Sequence, residues 1–180
     1  MKILILLVFF TSNTLADTIR FVTENLPPYQ VVDHSGKLMG GTSYAVIQEL
    51  IVRCNLSTSI ELMPWARAYK TASKHKNTFI FSIVRSPKRE KLFTWIGKLR
   101  ELKYHFYSLK QSGRQNAISL ERLLRQKVST VRGSIEEDLL RNMGFNEADN
   151  LIVTDSYQAA WRLVLLGRAS AVYGNEVIAK

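Results

Sequence analysis

The sequence predicts an α/β fold of two lobes. Strand and helix patterns alternate along the chain, the alternation breaks once near the middle, and it restarts after a polar turn. Residues 18–23 are rich in β-branched side chains and read as the first strand. Residues 26–41 carry Pro27-Pro28 and several glycines and read as a loop. Residues 43–54 space their apolar side chains at i, i+3, i+4 and i+7, the period of a helix with one buried face. A strand over 59–63, a helix over 65–74 opened after Pro64, and a strand over 78–84 follow. This β-α-β-α-β order calls for a mostly parallel sheet, because each helix carries the chain back to the end of the sheet where the strand before it began.

The break covers residues 85–97, read as a loop or short helix. A strand over 102–109 and a polar turn over 111–116 lead to the second series. That series is a helix over 119–126, a strand over 127–131, a helix over 134–142, a strand over 151–153, a helix over 157–166 and a strand over 169–173. The crossing between lobes is placed near residues 97–103. Few glycines and serines lie there, which suits an ordered hinge better than a flexible linker.

The first residues point to export. Lys2 is followed by a short apolar run over residues 3–10 and a small-residue stretch ending at Ala16. That is the pattern of a secretory signal peptide over residues 1–16, with lobe 1 over 17–99 and lobe 2 over 100–180. The apolar run is much shorter than the roughly 20 residues that cross a bilayer, so no membrane span is expected. The formal net charge is +10, but the basic residues are scattered and form no binding tail. Exported chains seldom meet nucleic acid, so the charge reads as solvated surface and a nucleic-acid partner is not expected. Cys54 is the single cysteine, which excludes an internal disulfide. It falls on the apolar side of the first helix and is expected to be buried and inert.

Four segments place chemistry at strand ends. Glu24 and Tyr29 flank the two prolines after the first strand, where Tyr29 either meets a ligand or packs on the core. Trp65 and Arg67 open the second helix; an indole face and a guanidinium suit a planar or anionic solute, unless Trp65 is core and Arg67 surface. Ser82, Arg85 and Arg89 leave the third strand, with Ser86 and Pro87 shaped as a helix start. Arg132, Gly133 and Ser134 follow a second-lobe strand, and Ser134 with Glu137 forms a capping box. Arg132 and the amides of 133–135 make a second anchor for an anion. His34, His75 and His105 are far apart and lack metal-ligand spacing, and no nucleophile elbow occurs. No metal, cofactor or catalytic residue is therefore assigned.

These segments, in this order after an export leader, resemble bacterial periplasmic solute-binding proteins of family 3, the receptors of polar amino-acid ABC transporters. The motifs are residues 24–29 with their E-x-x-P-P-Y start, the glycine-bounded turn 36–40, residues 82–90 with Trp95, the loop Arg132-Gly133-Ser134, and the strand lead-in 167–172. Trp65-Ala66-Arg67-Ala68 and Phe93-Thr94-Trp95 mark a divergent subgroup. The resemblance implies a periplasmic binding protein fold of type II with a closing cleft. It implies that Arg89 clamps a ligand carboxylate, with Ser82 beside it and Ser134 reaching in from lobe 2. The expected ligand is small, polar and amino-acid-like, the expected location is the periplasm, and the expected partner is an inner-membrane ABC permease.

Two departures qualify this. Family members carry an aspartate for the ligand's ammonium where this chain has Asn175, a weaker partner for a cation, with Glu24 and Glu176 as stand-ins. Members also return to lobe 1 after that point, whereas this sequence stops at Lys180, so the fold is expected to be incomplete at the C-terminus. The rival readings are an enzyme on the same fold, such as a cyclic-acid dehydratase, a sensory module, and a non-functional truncated product.

Overall fold

The computed structural model describes residues 19–109 and 119–176. The segment expected to be an export leader, residues 1–16, and the polar turn expected at 111–116 lie outside the described residues. The first sheet has three strands, β1 (Arg20–Thr23), β4 (Ile60–Leu62) and β5 (Thr78–Ile80), in the order β4-β1-β5 and all parallel. The expected parallel β-α-β-α-β unit is present. Helix α1 (Thr42–Arg53) and helix α2 (Trp65–Lys74) are its crossovers.

Alternation along β1 explains how both faces are filled. Phe21 packs with Ile47 and Ile51 of α1 and with Phe81. Its neighbour Val22 points the other way, onto Ala68 and Ala72 of α2. The small alanines let α2 lie close to the sheet, and both Val22 and Ala68 are completely buried.

The segment read as a loop contains structure of its own. Strands β2 (Val31–Val32) and β3 (Leu38–Gly40) form a short antiparallel hairpin, turned at Asp33, whose carboxylate accepts from the amides of Ser35 and Lys37. Periodicity could not show strands this short. The hairpin delivers Gly41 to the start of α1, where φ is 114°. A Cβ there would lie 2.2 Å from the Tyr29 carbonyl oxygen, so only glycine fits. The Tyr29 carbonyl accepts from the Ser43 and Tyr44 amides and the Pro28 carbonyl from Thr42. The first amides of α1 are thus satisfied by the backbone of the loop that carries Tyr29, without a side-chain cap.

The third strand stops at Ile80, short of the expected end at 84. Ser82 sits at φ 58°, a left-handed conformation that cannot continue a strand. Helix α3 (Pro87–Glu90) supplies the short helix of the break, and residues 93–103 pass to the second lobe without regular structure. There β6 (Tyr104–Tyr107), β7 (Val128–Val131), β8 (Leu151–Thr154) and β9 (Ala171–Asn175) form a sheet ordered β6-β9-β7-β8. Strands β7, β8 and β9 are parallel and β6 is antiparallel to β9. Helices α4 (Leu120–Leu123) and α5 (Ile135–Asn142) help bury Val128 and Tyr173, while α6 (Tyr157–Leu165) covers Val172 on the other face. All three helices are capped by a serine oxygen, of Ser119, Ser134 and Ser156.

Cys54 corrects an expectation. Helix α1 ends at Arg53, Cys54 is its cap, and Asn55 turns away at φ 49°, which leaves the thiol exposed.

Candidate functional site

The two lobes meet where their parallel strands end. Leu26, Tyr29 and Trp65 of the first lobe share one apolar cluster with Val131 and Tyr157 of the second. Carboxyl ends of strands are where open α/β sheets bind ligands, because loop amides and side chains converge there.

Arg89 is the largest of the fully buried side chains among the described residues, 2% exposed despite its charge. Helix α3 turns it inward, and its guanidinium donates to the Val84 carbonyl and, across the lobes, to the Gly133 carbonyl, both at 3.1 Å. It also lies 5.7 Å from the ring centre of Trp65 and 5.1 Å from that of Tyr69. Trp65 donates its indole N–H to the same Gly133 carbonyl at 2.8 Å. Gly133 can present that oxygen because it adopts φ 70° at the end of β7. Ala66 lies 3.8 Å from where its Cβ would be.

Two carboxylates are buried beside this contact. Glu24 follows β1 and is 6% exposed; Glu136 lies in the first turn of α5 and is 2% exposed. Tyr157 donates to Glu136 at 2.8 Å. Burial, and then the neighbouring Glu136, push the Glu24 carboxyl up to about 8. Burial also raises Glu136, opposed by the Tyr157 hydroxyl, its own backbone amide, Ser134 and the positive charge of Arg89. The Tyr104 and Tyr157 phenols are raised by burial and then by Glu136.

The structure thus brings Arg89, Trp65 and Glu24 together with the Gly133-Ser134 turn. Tyr29 is buried in the same junction, its ring 6.0 Å from the Arg100 guanidinium and its hydroxyl without a hydrogen-bond partner. Ser82 stands at its edge, accepting from Gln30 Nε2 at 2.6 Å. Gln30 itself is fully buried and also donates to Thr23. Asn175 is 2% exposed and lies within β9, opposite Tyr104, rather than after the strand.

Other expectations change. Ser134 serves as the cap of α5, accepting from the Glu137 amide at 3.1 Å, but Glu137 returns the bond to the Gly133 amide at 2.6 Å, one residue earlier than a capping box predicts. The Ser134 amide donates to the Val131 carbonyl. Two of the three amides expected to anchor an anion are therefore engaged within the protein. Arg132 is half exposed beside Asp155 at 3.8 Å, and Arg67 is on the exposed side of α2. Neither joins the buried cluster. Arg85 is tied to Glu90 at 2.5 and 2.8 Å and covers Trp95, outside the junction. All three histidines are exposed, and among the described residues no group of three metal-ligating side chains forms. No described helix is long and apolar enough to cross a membrane.

Glu136, Tyr157 and Gln30 were missed. Glu136 stood next to a capping motif that accounted for its neighbours, and the acidic first turn of α5 suits the helix dipole without further explanation. Only the fold brings Tyr157, 21 residues on, to its carboxylate.

Solved structures share this fold. An ancestral arginine-binding protein bound to arginine matches with a TM-score of 0.77 and 20% identity, over 90% of this chain and 71% of that one. A histidine kinase sensor domain with similarity to periplasmic binding proteins matches with a TM-score of 0.77 and 20% identity, over 90% of this chain and 69% of that one. The ancestral amino-acid-binding protein AncCDT-1, a precursor of cyclohexadienyl dehydratase, matches with a TM-score of 0.76 and 17% identity, over 90% and 72%. No family model and no curated protein matches the chain. The chain has the two-lobed fold of periplasmic binding proteins and spans about seven-tenths of these neighbours' length.

Proposed function

We propose that this protein is a periplasmic solute-binding protein of the family 3 type. It captures a small, polar, carboxylate-bearing solute between its lobes and delivers it to an inner-membrane ABC permease. Residues 1–16 act as its export signal, residues 17–99 as lobe 1 and residues 100–180 as lobe 2. The observation that carries the reading is the convergence of Arg89 and Trp65 from one lobe on Gly133 of the other. A guanidinium held in that place is a clamp for a carboxylate as well as a latch between lobes. Glu24, Tyr29, Ser82, Ser134 and Asn175 complete the polar lining, with Arg132 and Arg67 at its margin. Closure around a solute buries it and strengthens each polar contact. A thermal-shift screen against amino acids, organic acids and small sugars tests this. One class of solute raising a cooperative melt is the expected result, since only binding to the native state raises the midpoint. A cooperative melt that no solute moves counts against it.

One observation favours a second reading, an enzyme of the dehydratase type. Glu24 is a buried carboxyl whose proton is held to about pH 8, the property of a general acid. Product formed over time from a cyclic acid, and lost in Glu24→Gln, is the result that selects it.

A further inference from the structure

Gln30 is completely buried where strands of the first lobe end. Its backbone is fixed by a reciprocal pair of bonds with Leu26, each amide donating to the other's carbonyl at 3.0 Å. Its side-chain nitrogen donates twice, to the Thr23 hydroxyl at the end of β1 at 2.9 Å and to the Ser82 hydroxyl after β5 at 2.6 Å. One amide thus ties two strand ends to the loop that carries Tyr29. The left-handed backbone of Ser82 is a strained one for a residue with a side chain, and the bond from Gln30 helps to hold it.

The polarity of this node runs one way. A primary amide has two N–H hydrogens, and Thr23 and Ser82 take both. The Gln30 amide oxygen is buried without a partner. Turning the amide over would let that oxygen accept from both hydroxyls, but would orphan two buried N–H hydrogens in place of one acceptor. The arrangement found leaves fewer groups unsatisfied. A hydroxyl has one proton to give and two lone pairs. Gln30 occupies a lone pair of Ser82, and no acceptor among the described residues takes the Ser82 proton, so this hydroxyl is set to donate. Ser82 is only partly buried, at the edge of the junction, where that proton is available to a solute.

We infer that Gln30 is a positioning residue for solute binding. It fixes the Ser82 hydroxyl as a hydrogen-bond donor, and so favours solutes that present an anionic oxygen at Ser82 over solutes that present an N–H. Gln30 acts through Ser82 and does not touch the solute. This rests on the solute-binding reading and deepens it, because it names what sets the acceptor preference at that point of the site.

Isothermal titration calorimetry of the purified protein tests this in a double-mutant cycle, with L-arginine, L-glutamine and L-glutamate, each beside its α-carboxamide. Gln30→Met keeps the length of the side chain without its donor, and Ser82→Ala removes the hydroxyl. Each alone is expected to weaken the acid that binds the parent by about tenfold, and its carboxamide by less, since a hydrogen bond to a charged oxygen is the stronger one. The double variant is expected to bind no more weakly than Ser82→Ala, because Gln30 then has nothing left to position. Thr23→Val, which leaves the amide free to turn, follows the same pattern and replaces Gln30→Met should that variant lack a cooperative melt. Gln30→Met weakening the acid by the same factor in the parent and in the Ser82→Ala background, or weakening acid and carboxamide alike, marks a packing role. Either result overturns the inference and leaves the solute-binding reading standing, as does an acid that binds Gln30→Met as tightly as the parent. Failure of all three acids to bind the parent also overturns the inference. The broader solute screen then decides whether the solute-binding reading falls with it.

Discussion

Arg89 of the first lobe donates to the carbonyl of Gly133 in the second at 3.1 Å, joining residues 44 positions apart in sequence. That bond sets a positive group at the meeting point of two sheets whose strands end there. The Gly133 backbone is shaped for it, with φ 70° and its amide held by Glu137.

Replacing Arg89 tests both its roles. Arg89→Ala removes two hydrogen bonds and the stacking on Trp65 and Tyr69, and is expected to cost about 2–4 kcal/mol in urea denaturation. Far-UV circular dichroism is expected to remain that of the parent. Arg89→Lys keeps the charge but loses the fork that spans two carbonyls, so it falls between parent and alanine variant.

Trp65→Phe keeps a ring beneath Arg89 but deletes the donor to Gly133 together with part of the indole's volume. The expected cost is about 1 kcal/mol, while Trp65→Ala, which empties a buried site, costs about 3–5 kcal/mol. A Trp65→Phe variant as stable as the parent, measured by denaturant midpoint, contradicts a donor role for the indole.

Glu24 imposes a pH dependence whose sign follows from burial. Its folded value is above its unfolded value, so its contribution to stability is fully present below about pH 4.5 and is lost as the pH rises through about 8. At about 1.4 kcal/mol per unit this amounts to at most about 5 kcal/mol. The melting midpoint is expected to fall between pH 5 and pH 9, and Glu24→Gln is expected to flatten that fall. A parent and variant with parallel profiles remove Glu24 as the cause.

The left-handed backbone at Ser82 predicts an order of variants. Ser82→Gly loses the bond from Gln30 but relieves the conformation, so it is expected to be within about 1 kcal/mol of the parent. Ser82→Ala loses the bond and keeps the strain, and is expected to be less stable than the glycine variant by about 1 kcal/mol. Thermal melts in one buffer rank the three.

Much of this fold is legible in the sequence because its signals are local. The 3.6-residue spacing in 43–54, the proline before Trp65 and the serine before residue 135 each mark an element that the structure contains. What escaped is non-local or too short to be periodic. The hairpin of β2 and β3 offers five strand residues in all, and the early end of β5 depends on the φ angle of a single serine. In the site, Arg89, Trp65 and Glu24 were visible as strand-end chemistry. Glu136 was not, since a carboxylate in a helix's first turn reads as surface until Tyr157 and the facing lobe bury it.

The most direct test of solute capture at this junction is equilibrium binding of the solute that most raises the melt, measured on the parent protein and on Arg89→Ala. A single site per chain that the substitution weakens at least a hundredfold is the predicted result. Unchanged affinity in Arg89→Ala contradicts the account, because it would place the solute away from the contact between Arg89 and Gly133.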